Sequence, residues 1–307
     1  MAVQYRPWRE GDELELLQLW GGPEGAQAEQ SRALLRPSSV DPWLRCIVAE
    51  DVVGTDQAAV PVAAGYVFAP RLHNQRLWAY VEVAADHRRA GIGSTLLTML
   101  RHEAGQSPSG ISTLRAKVTR GSTGAAFAGS TGMSQIQRSR IVEVSPGALP
   151  VSEFKDDAGP QLEEAATGSV ELTSAVTQWY NAVHQWDPAD MTLGQAQQFL
   201  LAESTGAGGA VVLRDKPKSH GGTIAAFALS YTQTRTDEPA DVLVGCDTTL
   251  PASEQQAAVA ALLAMLVYQY PVQVEVDDSM TALATVLEPL LVSGSARVIG
   301  ETLVVSD

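Results

Sequence analysis

The sequence predicts an α+β fold made of two tandem domains, each a mixed, mostly antiparallel sheet flanked by helices. Three observations carry that reading. The chain has 307 residues, about twice a typical domain of roughly 150. One order of strands and helices runs through both halves. Finally, Leu96-Leu97-Thr98-Met99-Leu100 lines up with Leu262-Leu263-Ala264-Met265-Leu266 at an offset of 166 (262 − 96), each closing a strand–loop–helix unit. Such internal similarity points to duplication rather than two unrelated domains. The expected organisation is a first domain over 1–148, a linker with an entry strand over 149–168, and a second domain over 169–307.

In the first half, alternating and apolar runs predict strands at 3–8, 45–50, 60–70, 76–84, 111–118 and 134–144. Helices are expected over ELELLQLW, from Pro23 to Leu35, over GIGSTLLTMLRHEA and briefly around Ala125–Phe127. The helix carrying Leu96, Leu97 and Leu100 at helical spacing stops near Gly105. Hairpin-type turn residues at 51–59 and 71–75 make the neighbouring strands antiparallel. In the second half, helices fall at 170–186, 192–203, 255–268 and 280–291, and strands at 209–215, 222–231, 240–248, 271–276 and 296–305. Between the halves, Pro, Gly and acidic residues over 145–168 mark the linker.

Composition narrows the function. A net charge of −14, with 45% hydrophobic and 18% charged residues, describes a globular protein whose field repels a nucleic-acid backbone or an anionic bilayer. No nucleic-acid or membrane partner is expected, and no run reaches the ~20 apolar residues of a membrane span. The two cysteines, Cys46 and Cys246, sit in apolar strand-like runs, which excludes a disulfide framework or a cysteine zinc site and suits a reducing cytoplasm. The N-terminus lacks the layout of a signal peptide, and no His/Asp/Glu spacing suggests a metal. The chain is expected to be a monomer with an intramolecular domain pair, or a weak dimer.

The informative stretch is VEVAADHRRAGIGSTLL, 81–97. A strand ends, a basic loop follows, two glycines appear, and an amphipathic helix begins. Gly91 and Gly93 lack Cβ atoms, so main-chain N–H groups are able to turn toward an anion. The helix adds its positive dipole end, and Arg88 and Arg89 add charge-assisted donors. The spacing Arg88-x-x-Gly91-x-Gly93 after a strand ending in Val83 resembles the pyrophosphate loop of the GCN5-related N-acetyltransferase (GNAT) superfamily. That loop reads Gln/Arg-x-x-Gly-x-Gly/Ala between the family's fourth strand and third helix. Element order agrees over essentially the whole first half, and Ala125-Ala126-Phe127 to Gly132-Met133 is similar to the closing motif. Two domains in one chain resemble the tandem members of that superfamily.

The resemblance implies acetyl-coenzyme A (acetyl-CoA) as cosubstrate, a primary amine as acceptor, on a small molecule or a peptide, and direct transfer without an acyl-enzyme. Main-chain groups near Val81 and Val83 would pair with the pantetheine amides. Arg88, Arg89, Ala90, Gly91, Ile92, Gly93 and Ser94 would hold the diphosphate, and an N–H near Val83 would polarise the thioester carbonyl. Glu82 and Tyr80 share one face of the strand. Glu82 is the candidate base, or else a solvated carboxylate; Tyr80 is a catalytic candidate that reads better as packing or a substrate wall. The family's usual acid, a tyrosine four residues before the closing glycine, falls on Ala128. Water, a side chain such as Ser130, or binding without efficient turnover are the alternatives. A non-catalytic acyl-CoA sensor or interaction protein on the same scaffold is the competing function.

The offset of 166 sets Glu254 against Arg88, Ala257 against Gly91 and Val259 against Gly93, so the second half is expected to be a degenerate copy without diphosphate binding. His73 and His87 flank the strand, with His87 expected at the surface, and His102 faces out or caps its helix. Trp179, Tyr180, His184 and Trp186 read first as packing. Asp277-Asp278 is expected to cap the following helix.

Overall fold

Alternating apolar positions and turn residues build the first unit. The computed structural model describes residues 2–52, 59–151, 159–231 and 239–307; the expected turn at 53–58 and linker residues 152–158 lie outside these. The elements are β1 (Ala2–Pro7), α1 (Asp12–Trp20), α2 (Ala26–Arg32), β2 (Ser39–Val40), β3 (Trp43–Val52), β4 (Val60–Phe68), β5 (Leu77–Val83), α3 (Ile92–Ala104), β6 (Leu114–Thr119) and α4 (Thr123–Ser130). The sheet order is β1-β3-β4-β5-β6, with β2 beside β3. Pairing is antiparallel except between β5 and β6. The two-residue β2 is too short for a periodicity to reveal it.

Asp12 starts α1. It accepts from Arg9 N–H at 2.7 Å and from Arg6 Nη1 at 2.7 Å, while Arg6 Nε reaches Glu50 of β3 at 2.6 Å. One guanidinium thus ties β1, α1 and β3 together. One face of the sheet buries Leu16, Leu35, Leu44, Val48 and Tyr66, with Trp78 and Tyr80 packed at its margin. The other face receives α3 through Leu96, Leu97 and Leu100, all 3% exposed or less, each worth roughly 1.5–3 kcal/mol of burial.

The second unit contains β7 (Ser134–Val144), β8 (Gln161–Ala165), α5 (Val170–Val183), α6 (Leu193–Ala196), β9 (Ala207–Arg214), β10 (Ile224–Tyr231), β11 (Ala240–Cys246), α7 (Ala252–Leu266), β12 (Val272–Asp277), α8 (Thr281–Ser293) and β13 (Ala296–Ser306). Its order is β13-β7-β12-β11-β10-β9-β8, and β11–β12 is parallel. The helix expected at 192–203 is instead α6, opened by a Thr192–Gln195 capping box, running into a π-type stretch at Gln197–Leu201.

The compact units are Met1–Gln135 with Val304–Asp307, and Ile136–Leu303, so the contact division falls before the expected boundary at 148. The reason is pairing. Residues 139–144 of β7 run antiparallel to β12, and the chain end returns to the first unit, where Asp307 N–H donates to Leu114 O at 3.2 Å. A strand grouped with the first half by sequence is thereby held by second-half neighbours.

In the second unit Arg214, 2% exposed, binds Glu163 and Glu171 and fixes β9 to β8 and α5. The Arg214 hydrogen bonds hold Glu171 down at about 2, from an ordinary value of 4.5. A depressed carboxylate contributes stability above its unfolded value and loses it as pH falls. The unit is therefore expected to weaken as pH drops from about 4.5 toward 2. In acid melts Glu171→Gln should flatten that decline, modestly, because the Glu171 side chain is 39% exposed.

Candidate active site

Strand β5 parts from β6. Their parallel register holds only Leu77–Leu114 and Trp78–Arg115, although β5 continues to Val83 and β6 to Thr119. Leu77 N–H points to Thr113 O on the β6 side, at 2.8 Å, and Ala84 N–H to Val62 O on the β4 side, also at 2.8 Å. Main-chain groups alternate along a strand, so Val81 and Val83 present N–H and C=O to the gap. A cavity of about 240 Å³ opens there, lined by Val81, Leu97, Ala116, Val118, Ser122 and Phe127 among others.

The loop after β5 turns through two left-handed residues, Arg89 (φ 67°) and Gly91 (φ 81°). A non-glycine residue in that region costs about 1–3 kcal/mol, and such strain concentrates at functional sites. Arg88 Nε donates to Val83 O at 3.0 Å, folding the loop back onto the strand end and leaving Val83 N–H toward the gap. Helix α3 then begins with no side-chain cap. Its first helical bond is Thr95 N–H to Gly91 O at 3.0 Å, so the N–H groups of Ile92, Gly93 and Ser94 stand ahead of the ladder. Ile92 anchors the turn in the core at 2% exposure, while Arg88, Arg89, Ala90, Gly91 and Ser94 are exposed.

Gly91 and Gly93 differ in kind. Gly91 is required by its dihedral. Gly93 is helical, and a Cβ there would lie 3.5 Å from Phe127 and 3.6 Å from Val83, ordinary contacts. The protein itself does not need Gly93; its missing Cβ leaves room between the end of β5 and α4, beside the cavity. An open strand edge, an uncapped helix start and a left-handed glycine turn adjoin one another, a donor set able to take an anion at the end of an extended, amide-bearing chain.

Glu82 and Tyr80 are together, as expected, but not idle. Glu82 accepts from Arg32 Nε at 2.9 Å, from Arg32 Nη2 at 2.7 Å and from the Tyr80 hydroxyl at 2.5 Å. It is a half-buried clamp holding α2 to β5 rather than a solvated carboxylate. Burial and the Glu82 bond push the Tyr80 phenol well above its ordinary range. Arg32, which sequence reasoning missed, also lies 5.2 Å over the Trp20 ring. A lone arginine ending a short helix gives no sequence signal for such a pairing.

Three further expectations are corrected. Ser130 is exposed and donates to Phe127 O at 2.8 Å, so it does not reach into the gap; Ala128 is buried and lines the cavity. His87 is not a plain surface residue, because its Nε2 lies 3.4 Å from Asp51 of β3 in a partly buried pair. Asp278 binds Arg138, and α8 starts without a side-chain cap. His73 lies in the β4–β5 turn, at the opposite end of β5 from the loop, and exposed His102 meets Gln106 at 3.0 Å.

In the second unit the register is more than substituted. Strand β11 ends at Cys246 and α7 already begins at Ala252, a shorter connection than that from Val83 to Ile92. Glu254, Ala257 and Val259 therefore lie inside α7, so the loop is replaced by helix rather than mutated in place.

No protein-family model and no curated protein matches the chain. Solved structures do. A GCN5-related N-acetyltransferase from Sphaerobacter thermophilus superposes with a TM-score of 0.62 at 14% identity, covering 99% of this chain and 95% of that one. A tandem GNAT protein from the clavulanic acid biosynthesis pathway gives 0.58 at 16% identity, covering 100% and 98%. The fold is that of a tandem GNAT protein. A conserved protein of unknown function from Enterococcus faecalis, a probable N-acyltransferase, superposes with a TM-score of 0.55 at 9% identity, over 100% of this chain and 72% of that one.

Proposed function

We propose that the first unit transfers an acetyl group from acetyl-CoA to a primary amine, on a small molecule or a peptide. The observation that carries this reading is the parted β5 edge meeting the left-handed Gly91 turn at an uncapped helix start. Val81 and Val83 would hold the pantetheine amides, the N–H groups of Gly91 to Ser94 with Arg88 and Arg89 would hold the diphosphate, and Val83 N–H would polarise the thioester carbonyl. When bound, acetyl-CoA supplies the activated acyl group. The two buried free thiols suit a reducing cytoplasm.

The acceptor side is bounded by Tyr80 and by α2. Glu82 already accepts three hydrogen bonds, leaving little of its lone-pair capacity for an ammonium proton. We assign it to positioning: with Arg32 it sets the distance of α2 from the gap, and water removes the amine proton. Ser122 Oγ lines the cavity and accepts from Ala125 N–H at 3.2 Å, which leaves its O–H to donate toward a departing thiolate. Glu82→Gln should raise the acceptor KM several-fold and leave the shape of the kcat/KM pH profile unchanged. Loss of the profile's acidic limb would restore Glu82 as the base.

A second reading, an acyl-CoA sensor, is favoured by the alanine at the usual acid position and the committed Glu82. Calorimetry with coenzyme A followed by a thiol-release assay over an amine panel separates the two. Binding with release supports the transferase; binding without release from any amine supports the sensor; absence of binding overturns both.

A further inference from the structure

We infer that the second unit carries its own ligand site, beside the end of β11 that parts from β12, built for a neutral, extended, amide-bearing chain without phosphate. The strands pair only from Ala240–Val272 to Val242–Val274, although β11 runs to Cys246 and β12 to Asp277. Asp247 N–H donates toward β10, to Ala225 O at 2.9 Å. By alternation Val244 and Cys246 direct their N–H and C=O groups into the gap. An added amide chain pairs with such an edge as another strand would.

A cavity of about 180 Å³ lies along the end of β11 that has parted from β12, lined there by Val244, Gly245 and Cys246. Trp179, Val183, Val259, Met280 and Leu283 give it an apolar wall, and Thr248, Gln255 and Ser279 a polar side; no lining residue is charged. Its volume is below the ~300–1,000 Å³ of drug-sized pockets, which fits a chain of two or so amide units. Trp179 is held edge-on against Phe227 at 5.6 Å, so the wall is rigid. Burial pushes the Cys246 thiol up to about 11, which keeps it neutral.

The entrance refuses anions. Asp247 Oδ1 accepts Thr249 N–H at 2.9 Å, and Gln255 Nε2 donates to Thr248 O at 3.2 Å and to Leu250 O at 2.7 Å. The connection consumes its own polar groups, contains no glycine or arginine, and carries Asp247 with Glu254 just beyond. A diphosphate finds no positive side chain there, and Asp247 with Glu254 opposes it across the uncapped start of α7.

Two sources share the amide chemistry, a phosphate-free pantetheine and a short peptide, and one titration tells them apart. Met280 lines this cavity and Met133 the one in the first unit, so methyl-labelled methionines in the full chain report each separately, with Met280→Leu giving the assignment. S-Methylpantetheine, N-acetylalanyl-alanine N-methylamide and adenosine 3′,5′-bisphosphate are the probes. Expected is a saturable shift of the Met280 methyl with one or both neutral probes at roughly millimolar concentration, none with the bisphosphate, and loss of the shift in Thr248→Trp. Should Thr248→Trp fail to fold, Thr281→Trp on the exposed rim plugs the same opening. Met280 unmoved by both neutral probes up to about 10 mM, an equal shift with the bisphosphate, or a shift surviving the plug overturns the proposal, whatever Met133 does.

Discussion

Gly91→Glu is expected to weaken coenzyme A binding by more than about 100-fold, roughly 2.7 kcal/mol, while Ala257→Glu leaves it unchanged. Two effects add at residue 91. Its φ of 81° lies where a side chain costs about 1–2 kcal/mol, so the turn relaxes and re-aims the following N–H groups. The new carboxylate then stands against a diphosphate at the start of α3, where the helix dipole favoured an anion. Open space around the position, with nothing within 4 Å of a Cβ, means a steric clash plays no part and the fold should survive. Ala257 is exposed on α7, so a glutamate there is an ordinary helix-surface change. Calorimetric titration of both variants decides it: equal losses would contradict a single diphosphate site in the first unit.

The turn between β5 and α3 was legible because its signal is local. A glycine with positive φ, an arginine pair and a helix start are all written within 88–97, and their geometry follows from backbone sterics. The strand that leads into it was legible for the same reason, with β5 read at 76–84 and found at Leu77–Val83. What sequence left hidden was pairing across distance. Arg32 and Glu82 are separated by 50 positions, and no periodicity links a helix-end arginine to a strand carboxylate, so Glu82 read as a candidate base or a solvated carboxylate. The π-type stretch after α6 hides behind a helical apolar pattern. In the second unit the gapless offset was correct within the helix but failed toward its start, because the loss of the loop changes the register between β11 and α7. A repeat aligned on its best-packed segment misplaces everything beyond a deletion.

Gly65→Val is expected to lower the stability of the first unit by about 1–3 kcal/mol, the usual cost of overpacking, and to weaken coenzyme A binding along with it. Gly65 sits on β4 opposite Val81 of β5, at the point where α3 crosses the sheet. A Cβ there would come within 2.8 Å of Tyr80 O, 3.0 Å of Leu100 Cδ1 and 3.1 Å of Val81 Cγ2. The first of these is backbone and cannot swing aside, so β5 must move. The second is the tip of a fully buried leucine of α3, which has little room to give. One side chain thus displaces β5, one wall of the gap, and presses on α3, whose Leu97 lines the cavity. Gly300→Ala serves as the comparison, because its Cβ would meet only Ile141 at 3.7 Å and should change neither melting nor binding. If Gly65→Val melts like the parent chain and binds coenzyme A as tightly, close approach of α3 to β4 is not what fixes the geometry of the gap.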